Sequence, residues 1–451
     1  MSSQEVDQFL SDDVRKLFRN ISDRFKELFV NDKRTEFDAE IFLSLFKQYL
    51  TESATIDWNK MKPLSLEFQQ DYDSLPDSSG IEERGEIAKH LSVVKLNGGL
   101  GTTMGCDGPK SLIELRNEMT FLDFAIGHVQ GKDCFIDAFF SGTVEGESRK
   151  LVQCILFHIL IWYPPGHGNV FKSMHFTGVL DELLAQGRDI CFISNIDNTG
   201  ATIDLRIAKF MLEKDLEYVM ECTEKTEVDR KGGTLIEING YIMHLEMPQV
   251  PKDHVDDFCS TDIFKIFNTN NIWVNLKAVK KKLAGMKMEI IVNRKFLSNG
   301  EPVNQLETSV GGAIRNFDKV LSVKVPRFRF LPVKNAGDLL AIMSDLYEVT
   351  ENSSLHFVRT EKAPPVIQLS DHFNKISEFR KRFCEIPRLK QLKRLKIVGD
   401  VYFGHNIILK GNVEIISDKG QQLKVPDGEC LENVKLIQTA QSEIQKMPLQ
   451  Y

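Results

Sequence analysis

A lysine, Lys110, stands at the end of a stretch, Asn97 to Pro109, in which five of thirteen residues are glycine. Glycine admits φ > 0 and lets a bulky anion lie against bare backbone N–H groups. A lysine beside such a loop supplies fixed positive charge that can neutralise triphosphate oxygens. The mainly apolar run Leu91 to Leu96 before it reads as a buried strand. Pro109 suits the first turn of a helix, where its missing N–H is no loss. Strand, glycine loop and helix start together describe a phosphate cradle. Spacing excludes two common cradles. A Walker loop places lysine directly after its last glycine, and here Pro109 intervenes; the GxGxxG pattern counted from Gly99 fails at Met104. On loop composition alone, a glycine-rich turn with a surface lysine is the alternative.

Other residues carry weaker chemical hints. Asp197 lies between Asn195-Ile196 and Asn198, at the end of the apolar run Asp189–Ser194. It fits either a turn or a hard oxygen ligand for Mg²⁺, which commonly takes one or two carboxylates plus phosphate. Lys334 closes VPRFRFLPVK and is either an exposed lysine or a second phosphate contact. His167, in PPGHG, has no bulky neighbours, and its ring could donate to a sugar hydroxyl. Asn270, inside Asn268-Thr269-Asn270-Asn271, offers the amide donors and acceptors that a hexose needs, with ordinary turn asparagines as the alternative. No Ser/His/Asp order, H-E-x-x-H or glycosidase-like carboxylate pair supports hydrolysis.

The elements that must hold these residues follow from the rest of the chain. At 451 residues it exceeds one ordinary core and should hold two or three domains. Its net charge of −7 provides no field for nucleic acid or an anionic membrane, so phosphate-binding charge must be local. The eight cysteines form no C-x-x-C pair, which suits reduced thiols and a cytoplasmic protein. The acidic N-terminus shows no signal peptide, and the apolar run Ile155–Tyr163 is too short to span a bilayer. Residues 1–60 carry apolar stripes at helical spacing, among them Phe42, Leu45, Phe46 and Leu50, and residues 1–75 are expected to form a helical N-terminal region. Asp71–Gly80 reads as a linker. Residues 85–380 alternate strands and helices, the rhythm of a mostly parallel α/β sheet, whose ligands bind beyond the carboxyl ends of the strands. Ser111–Val129 reads as helix. In 385–451, Gly399-Asp400-Val401 recurs as Gly411-Asn412-Val413, and Val401, Ile407 and Val413 stand six apart. That spacing suggests coils of a parallel β-helix, with a hairpin stack as the alternative.

The string LNGGLGTTMGCDGPKS closely resembles the nucleotide-binding loop of UTP–glucose-1-phosphate uridylyltransferases (UDP-glucose pyrophosphorylases). WYPPGHGNVF, FISNIDNTGATIDL, KIFNTNNIW, MEIIVN, QLETSVGGAI and VPRFRFLPVK resemble further blocks of that family, in its order. The resemblance implies a Rossmann-like nucleotidyltransferase domain with a mixed, mostly parallel sheet, a helical N-terminal region and a C-terminal parallel β-helix. It implies that Leu96, Asn97, Gly98, Gly99 and Lys110 contact UTP and that Gly166 lies against uracil. His167 would contact the sugar phosphate, Asn195, Ile196 and Asp197 would line the site, and Asn270 would hold glucose. Lys334 would be the second phosphate-binding lysine, and Asp197 would also hold Mg²⁺. The implied reaction joins UTP and glucose 1-phosphate to give UDP-glucose and pyrophosphate, in a homo-oligomer assembled through the C-terminal domain.

Residues 131–161 depart from the pattern. The family's MNSF-like strand end and its uracil-reading glutamine have no counterpart there. A splice variant, a misassembled gene and a divergent paralogue would each produce such a break. The alternative function is therefore a catalytically impaired sugar-nucleotide binder or assembly subunit. Residues 131–150 are expected to be the least ordered part of the catalytic domain.

Overall fold

The computed structural model describes residues 15–16, 18–23, 33–52, 55–78, 80–97, 104–105, 109–130, 137–142, 152–154, 159–161, 166–226, 229–296, 300–351, 353–359, 361, 363–438 and 443–449. Its largest sheet has seven strands: β1 Gln69–Asp71, β2 Leu91–Asn97, β3 Asp137–Gly142, β4 Ile190–Asn195, β5 Tyr218–Glu224, β6 Ile266–Asn275 and β7 Val320–Lys324. Their order is β1-β7-β5-β6-β4-β2-β3. In β2 six successive residues are buried, and in β4 five are. Unbroken burial rather than alternation means that both sheet faces are covered. The sheet is mixed. β1 and β5 run parallel to β7, but β6 is antiparallel to both β5 and β4.

The chain divides into two compact units. One comprises residues 1–98, 139–194 and 204–326; the other comprises 99–138, 195–203 and 327–451. In the first unit, Phe192 of β4 stacks on Trp273 of β6 with ring centroids 4.3 Å apart. The Trp273 indole N–H donates to buried Glu221 at 2.8 Å, which lets so large a ring be fully enclosed. Helix Lys33–Thr51 buries Ile41 and Leu45 against Ile290 and Leu306 of the hairpin Ile290–Phe296/Pro302–Thr308. Most of the apolar stripe before residue 33 lies outside the described residues. The stretch Asp71–Gly80 is not a loose linker. Tyr72 donates to Asp204 at 2.5 Å, and the Arg206 guanidinium caps the Tyr72 and Leu75 carbonyls, each at 3.0 Å. Met61–Pro63 and Gln69–Asp71 are short strands set between single 3₁₀ turns, so residues 58–75 hold no α-helix.

The second unit corrects another expectation. Ser111–Val129 is not one helix: Lys110–Leu112 is a single 3₁₀ turn, Glu114–Arg116 and Met119–Thr120 form a hairpin, and the helix is Phe121–Gln130. Asn117 and Glu118 both have positive φ, 51° and 63°, the conformation of a two-residue hairpin loop. Pro109 precedes the turn in extended backbone rather than opening a helix. Further on, β8 Arg388–Val398, β9 Ile408–Ile416 and β10 Cys430–Gln438 stack as parallel ladders. Leu395, Val413 and Val434 stand in register and are all buried, as are Val401 and Ile407. The six-residue spacing thus marks inward-facing positions. The outer edge of β10 is paired by the antiparallel strand Ile444–Pro448, which satisfies its backbone within the chain.

Candidate functional site

In the second unit, charge is concentrated where three segments meet. The turn at Lys110 points its ammonium at Asp197, with Nζ to Oδ2 at 2.6 Å and both side chains less than one-fifth exposed. The Asp197 turn is clamped to the strand-like segment before Lys334. The N–H of Val333 donates to the Asp197 carbonyl at 3.0 Å, Thr199 N–H donates to the Leu331 carbonyl at 3.1 Å, and Asn198 bridges Pro332. The Asn198 side chain accepts from both Gly200 and Leu331 N–H groups. Gly200 is required here, because a Cβ would stand 2.4 Å from the Phe328 carbonyl oxygen. Lys334 then immediately precedes Asn335, the N-cap of helix Ala336–Met343, whose capping box Asp338 completes. Its N–H donates to Asp338 Oδ2 at 2.8 Å, while its ammonium lies 5.9 Å from the Phe330 ring centre. Burial pushes the Asp338 carboxyl up; the N–H groups of Lys334 and Asn335 and the charges of Lys334 and Lys110 pull it back. Lys110, Asp197, Lys334 and Asp338 are therefore one electrostatic group. Nothing in the type or spacing of Asp338 marks it in the sequence as a member of this group.

The first unit holds a second cluster, built almost without charge. The ladder between β5 and β6 slips between Glu221 and Cys222: Glu221 opposes Asn271, whereas Cys222 opposes Asn268. Thr269 and Asn270 are thereby looped out, and Asn270 takes a left-handed φ of 60°. A bulge of this kind re-aims side chains and is frequent beside active sites. Its geometry is pinned from both sides. Thr269 donates to the Glu221 carbonyl at 2.8 Å, and Asn270 N–H donates to Asn268 Oδ1 at 2.7 Å. The Asn268 amide in turn meets His244 Nε2 at 3.0 Å, and the other His244 nitrogen lies 3.4 Å from Ser309 Oγ. The next residue, Val310, donates its N–H to His167 Nδ1 at 3.0 Å. A continuous series of contacts therefore links Asn270 to His167.

Burial disfavours the charged form of both histidines. Burial lowers the pKa of His244, against a smaller opposing effect of Glu246. Crowding, together with His244, pushes His167 down to about 4. The His167 residue is nevertheless exposed at its outer edge, where water tempers that shift. The firmer indication is the N–H received from Val310, since only a neutral ring can accept it at Nδ1. Its remaining Nε2 proton is then a donor. Gly166 and Gly168 let this turn lie directly on the hairpin end. A Cβ on Gly166 would stand 2.3 Å from the Thr308 carbonyl oxygen, and one on Gly168 2.6 Å from Thr308 Oγ1.

Leu96 and Asn97 end β2, the former buried and the latter partly so. Gly98 and Gly99 lie outside the described residues. Lys95, which the sequence reading passed over, is 3% exposed and donates to Ser194 Oγ at 2.9 Å. A charged residue inside an apolar strand was the available signal. Asn195 accepts, through its carbonyl, the Asn198 N–H that closes the Asp197 turn at 3.2 Å, and Ile196 is buried in the second unit's core. Among the described residues, no three His, Cys, Asp or Glu side chains converge on a metal-sized space. A single carboxylate, Asp197, joined by ligand phosphate oxygens is still a fitting donor set for Mg²⁺, a hard cation that keeps most of its shell in water and phosphate. No helix among the described residues is long and apolar enough to cross a membrane.

A mixed α/β sheet, a glycine-rich stretch after a buried strand, and two lysines gathered with carboxylates mark a nucleotide-handling enzyme of the phosphoryl-group-transfer type. The comparisons narrow this. The family model for UTP–glucose-1-phosphate uridylyltransferase matches residues 39–136 and 157–410. The chain is 41% identical to the barley (Hordeum vulgare) UTP–glucose-1-phosphate uridylyltransferase, covering 87% of this chain and 91% of that one. It is 40% identical to the Saccharomyces cerevisiae protein of the same name, over 89% of each. Among solved structures, a UDP-glucose phosphorylase of Trypanosoma brucei superposes with a TM-score of 0.80 at 31% identity, covering 93% of this chain and 99% of that one. A mutant UDP-glucose pyrophosphorylase of Leishmania major, solved with UDP-glucose, gives 0.79 at 29%, with the same coverages. The chain belongs to the UTP–glucose-1-phosphate uridylyltransferase family. The family match breaks at 137–156, inside the segment that departs in sequence.

Proposed function

We infer that this chain transfers a uridylyl group from UTP to glucose 1-phosphate, releasing pyrophosphate. A phosphate oxygen of the sugar phosphate attacks the α-phosphorus of UTP in line. The bond from that phosphorus to the β-phosphate oxygen breaks, and both electrons leave with pyrophosphate, so no covalent enzyme intermediate is needed. The observation that carries this reading is the Lys110–Asp197 pair, clamped through Val333 to Lys334. The Lys110 ammonium is held by Asp197 and the Lys334 backbone is anchored to Asp338, which sets two positive charges toward phosphate oxygens, where one preorganised donor is worth about 2.7–4 kcal/mol. A triphosphate would compete with Asp197 for the Lys110 ammonium.

In this proposal Asp197 would hold Mg²⁺, which when bound supplies electrostatic neutralisation of the phosphates. Lys110 and Lys334 bind phosphate oxygens, and Leu96, Asn97, Gly98 and Gly99 approach UTP by backbone contact. Gly166 offers uracil a surface without a side chain. His167 donates from Nε2 to the sugar phosphate, Asn270 holds glucose hydroxyls, and Asn195 and Ile196 line the substrate. The parallel ladders of β8, β9 and β10 support a short C-terminal β-helix, and helix Lys33–Thr51 supports a helical N-terminal region. Self-association through residues 385–451 would use apolar side chains left exposed there, such as Val398, Ile444 and Met447, because the β10 edge is already paired. A monomeric mass in light scattering would reject it. The activity is tested by coupled pyrophosphate release from UTP with a panel of sugar 1-phosphates. Release with glucose 1-phosphate is expected; release only with an amino sugar, or none at all, overturns the reading.

A further inference from the structure

The parallel ladders carry a cavity lined by none of the residues given a catalytic or substrate-binding role above. Its volume is about 830 Å³, within the roughly 300–1,000 Å³ of small-molecule sites. It forms where the ladders lose register. Gln391 of β8, Lys410 of β9 and Glu432 of β10 stand opposite one another; the β8–β9 pairing slips on either side of them and the β9–β10 pairing slips just after them. The slip turns on Gly411 and Asn433, with φ of 60° and 47°. Four cations, Arg359, Lys390, Lys393 and Lys410, line it against two carboxylates, Glu361 and Glu432. Lys390 is loosely engaged, 3.7 Å from Glu348.

Arg359 is the decisive group. Its side chain is only 3% exposed, and its Nη2 pairs with Glu361, yet Nε and Nη1 are buried with no hydrogen-bond partner among the described residues. Guanidinium never deprotonates, and buried donors left unpaired are costly. A neutral ligand would leave the cationic excess uncompensated, and a metal ion would be repelled by it. An oxyanion relieves both.

We propose that this cavity binds a small phosphate-bearing anion, with Arg359 as its buried anchor and Lys393 and Lys410 as its outer contacts. The assignment does not depend on the catalytic reading. Inorganic tripolyphosphate is the probe, titrated calorimetrically into the full-length chain without Mg²⁺, with UDP-glucose at saturation and again in a Lys334→Ala background. One saturable site per chain, with the same Kd in both, is expected. Arg359→Gln should weaken it at least about tenfold, the scale of a buried charged hydrogen bond. Lys393→Gln, at an exposed position, should weaken it less and should leave the melting temperature unchanged, so the proposal does not hang on one buried variant. Uridylyl transfer by Arg359→Gln should stay within twofold of the parent. Absence of saturable binding, binding indifferent to both substitutions, or binding lost in Lys334→Ala would each overturn the proposal. Citrate competing as well as tripolyphosphate would overturn the choice of phosphate over carboxylate.

Discussion

The charged cluster of the second unit and the neutral cluster of the first solve opposite problems. Lys110, Asp197, Lys334 and Asp338 gather four ionisable groups on turns and a helix start, and hold them by backbone hydrogen bonds. Asn270, Asn268, His244 and His167 gather amides and uncharged rings on a bulge and a hairpin end, and hold them through one another. Phosphate recognition needs field strength, which point charges supply and which tolerates small errors of position. Recognition of a sugar or a base needs direction, since hydroxyls and amides have little field and much geometry. A charged group in the second cluster would attract water and ions without selecting among hydroxyls. The two clusters therefore differ in how they should fail.

The largest failure should come from the charges. Lys334→Ala should lose at least about 2.7 kcal/mol of transition-state stabilisation, roughly a hundredfold in kcat, with a smaller change in the affinity for UDP-glucose. Lys110→Ala should behave alike, with an added cost from the Asp197 carboxylate left without its partner. Steady-state kinetics decide it: unchanged turnover in Lys334→Ala would remove that residue from the phosphate-binding group.

The neutral cluster should fail first in geometry. Gly166→Ala forces a side chain onto the Thr308 carbonyl and strains a residue with φ of 89°. Strain of this kind costs about 1–3 kcal/mol, paid in stability and in the position of His167. We expect a lower melting temperature together with a raised KM for glucose 1-phosphate, and a smaller loss in kcat than for Lys334→Ala. A fall in kcat with KM unmoved would mean that the turn serves the charges rather than the sugar.

How legible each cluster was follows from the same contrast. Lys110 stands out by its place after a glycine loop, which is a local fact, whereas Asp197 and Lys334 were weak hints by type alone and gained roles only from the family resemblance. His244 and Asn268 were missed because their role is relational. Asn268 matters only since the β5–β6 ladder slips beside it, and no spacing in the sequence marks that slip. Asn270 was visible only as one of several adjacent polar residues. The alternation of strands and helices gave the α/β class, but not that β6 runs antiparallel. The stretch Ser111–Val129 was misread because apolar residues at helical intervals outweighed Asn117, whose type favours the left-handed turn it takes. The segment 131–161 was recognisable as foreign to its family, and the family match breaks there too. Of it, residues 137–142 form the edge strand β3, and 152–154 pair with 159–161; the expectation about order in 131–150 falls largely outside the described residues.

That segment supplies the next test, smaller in effect. The phosphate contacts do not depend on the base, so loss of a base-reading side chain should reduce selectivity rather than triphosphate binding. Calorimetric titration with UTP, CTP and ATP should show UTP preferred by less than about tenfold, the worth of a single modest hydrogen bond, and bound more weakly than by a relative with the intact segment. Strong selectivity for UTP would show that another residue reads uracil.

The smallest expected effect tests the neutrality of His167 itself. Its pKa is lowered from 6.5 to about 4, so the folded protein keeps the ring neutral through a range in which the unfolded chain takes up a proton. The associated stability is present above pH 6.5 and is lost as pH falls toward 4. Because the ring is exposed at one edge, only a shallow loss is expected over that window. Binding should be flatter still. UDP-glucose carries phosphates that stay ionised throughout, so its affinity between pH 7.5 and 5.5 reports on the protein. A neutral His167 donating from Nε2 has the same hydrogen bond to offer at both ends of that range, and the expected change is less than about twofold. A cationic ring would instead tighten binding as pH falls through 6.5, by adding a charge beside the diphosphate. Replacing His167 by Gln, which keeps a donor but cannot titrate, separates the two: a pH dependence that disappears in His167→Gln would show that the ring is protonated in use, and the division between charged and neutral recognition would fail at this residue.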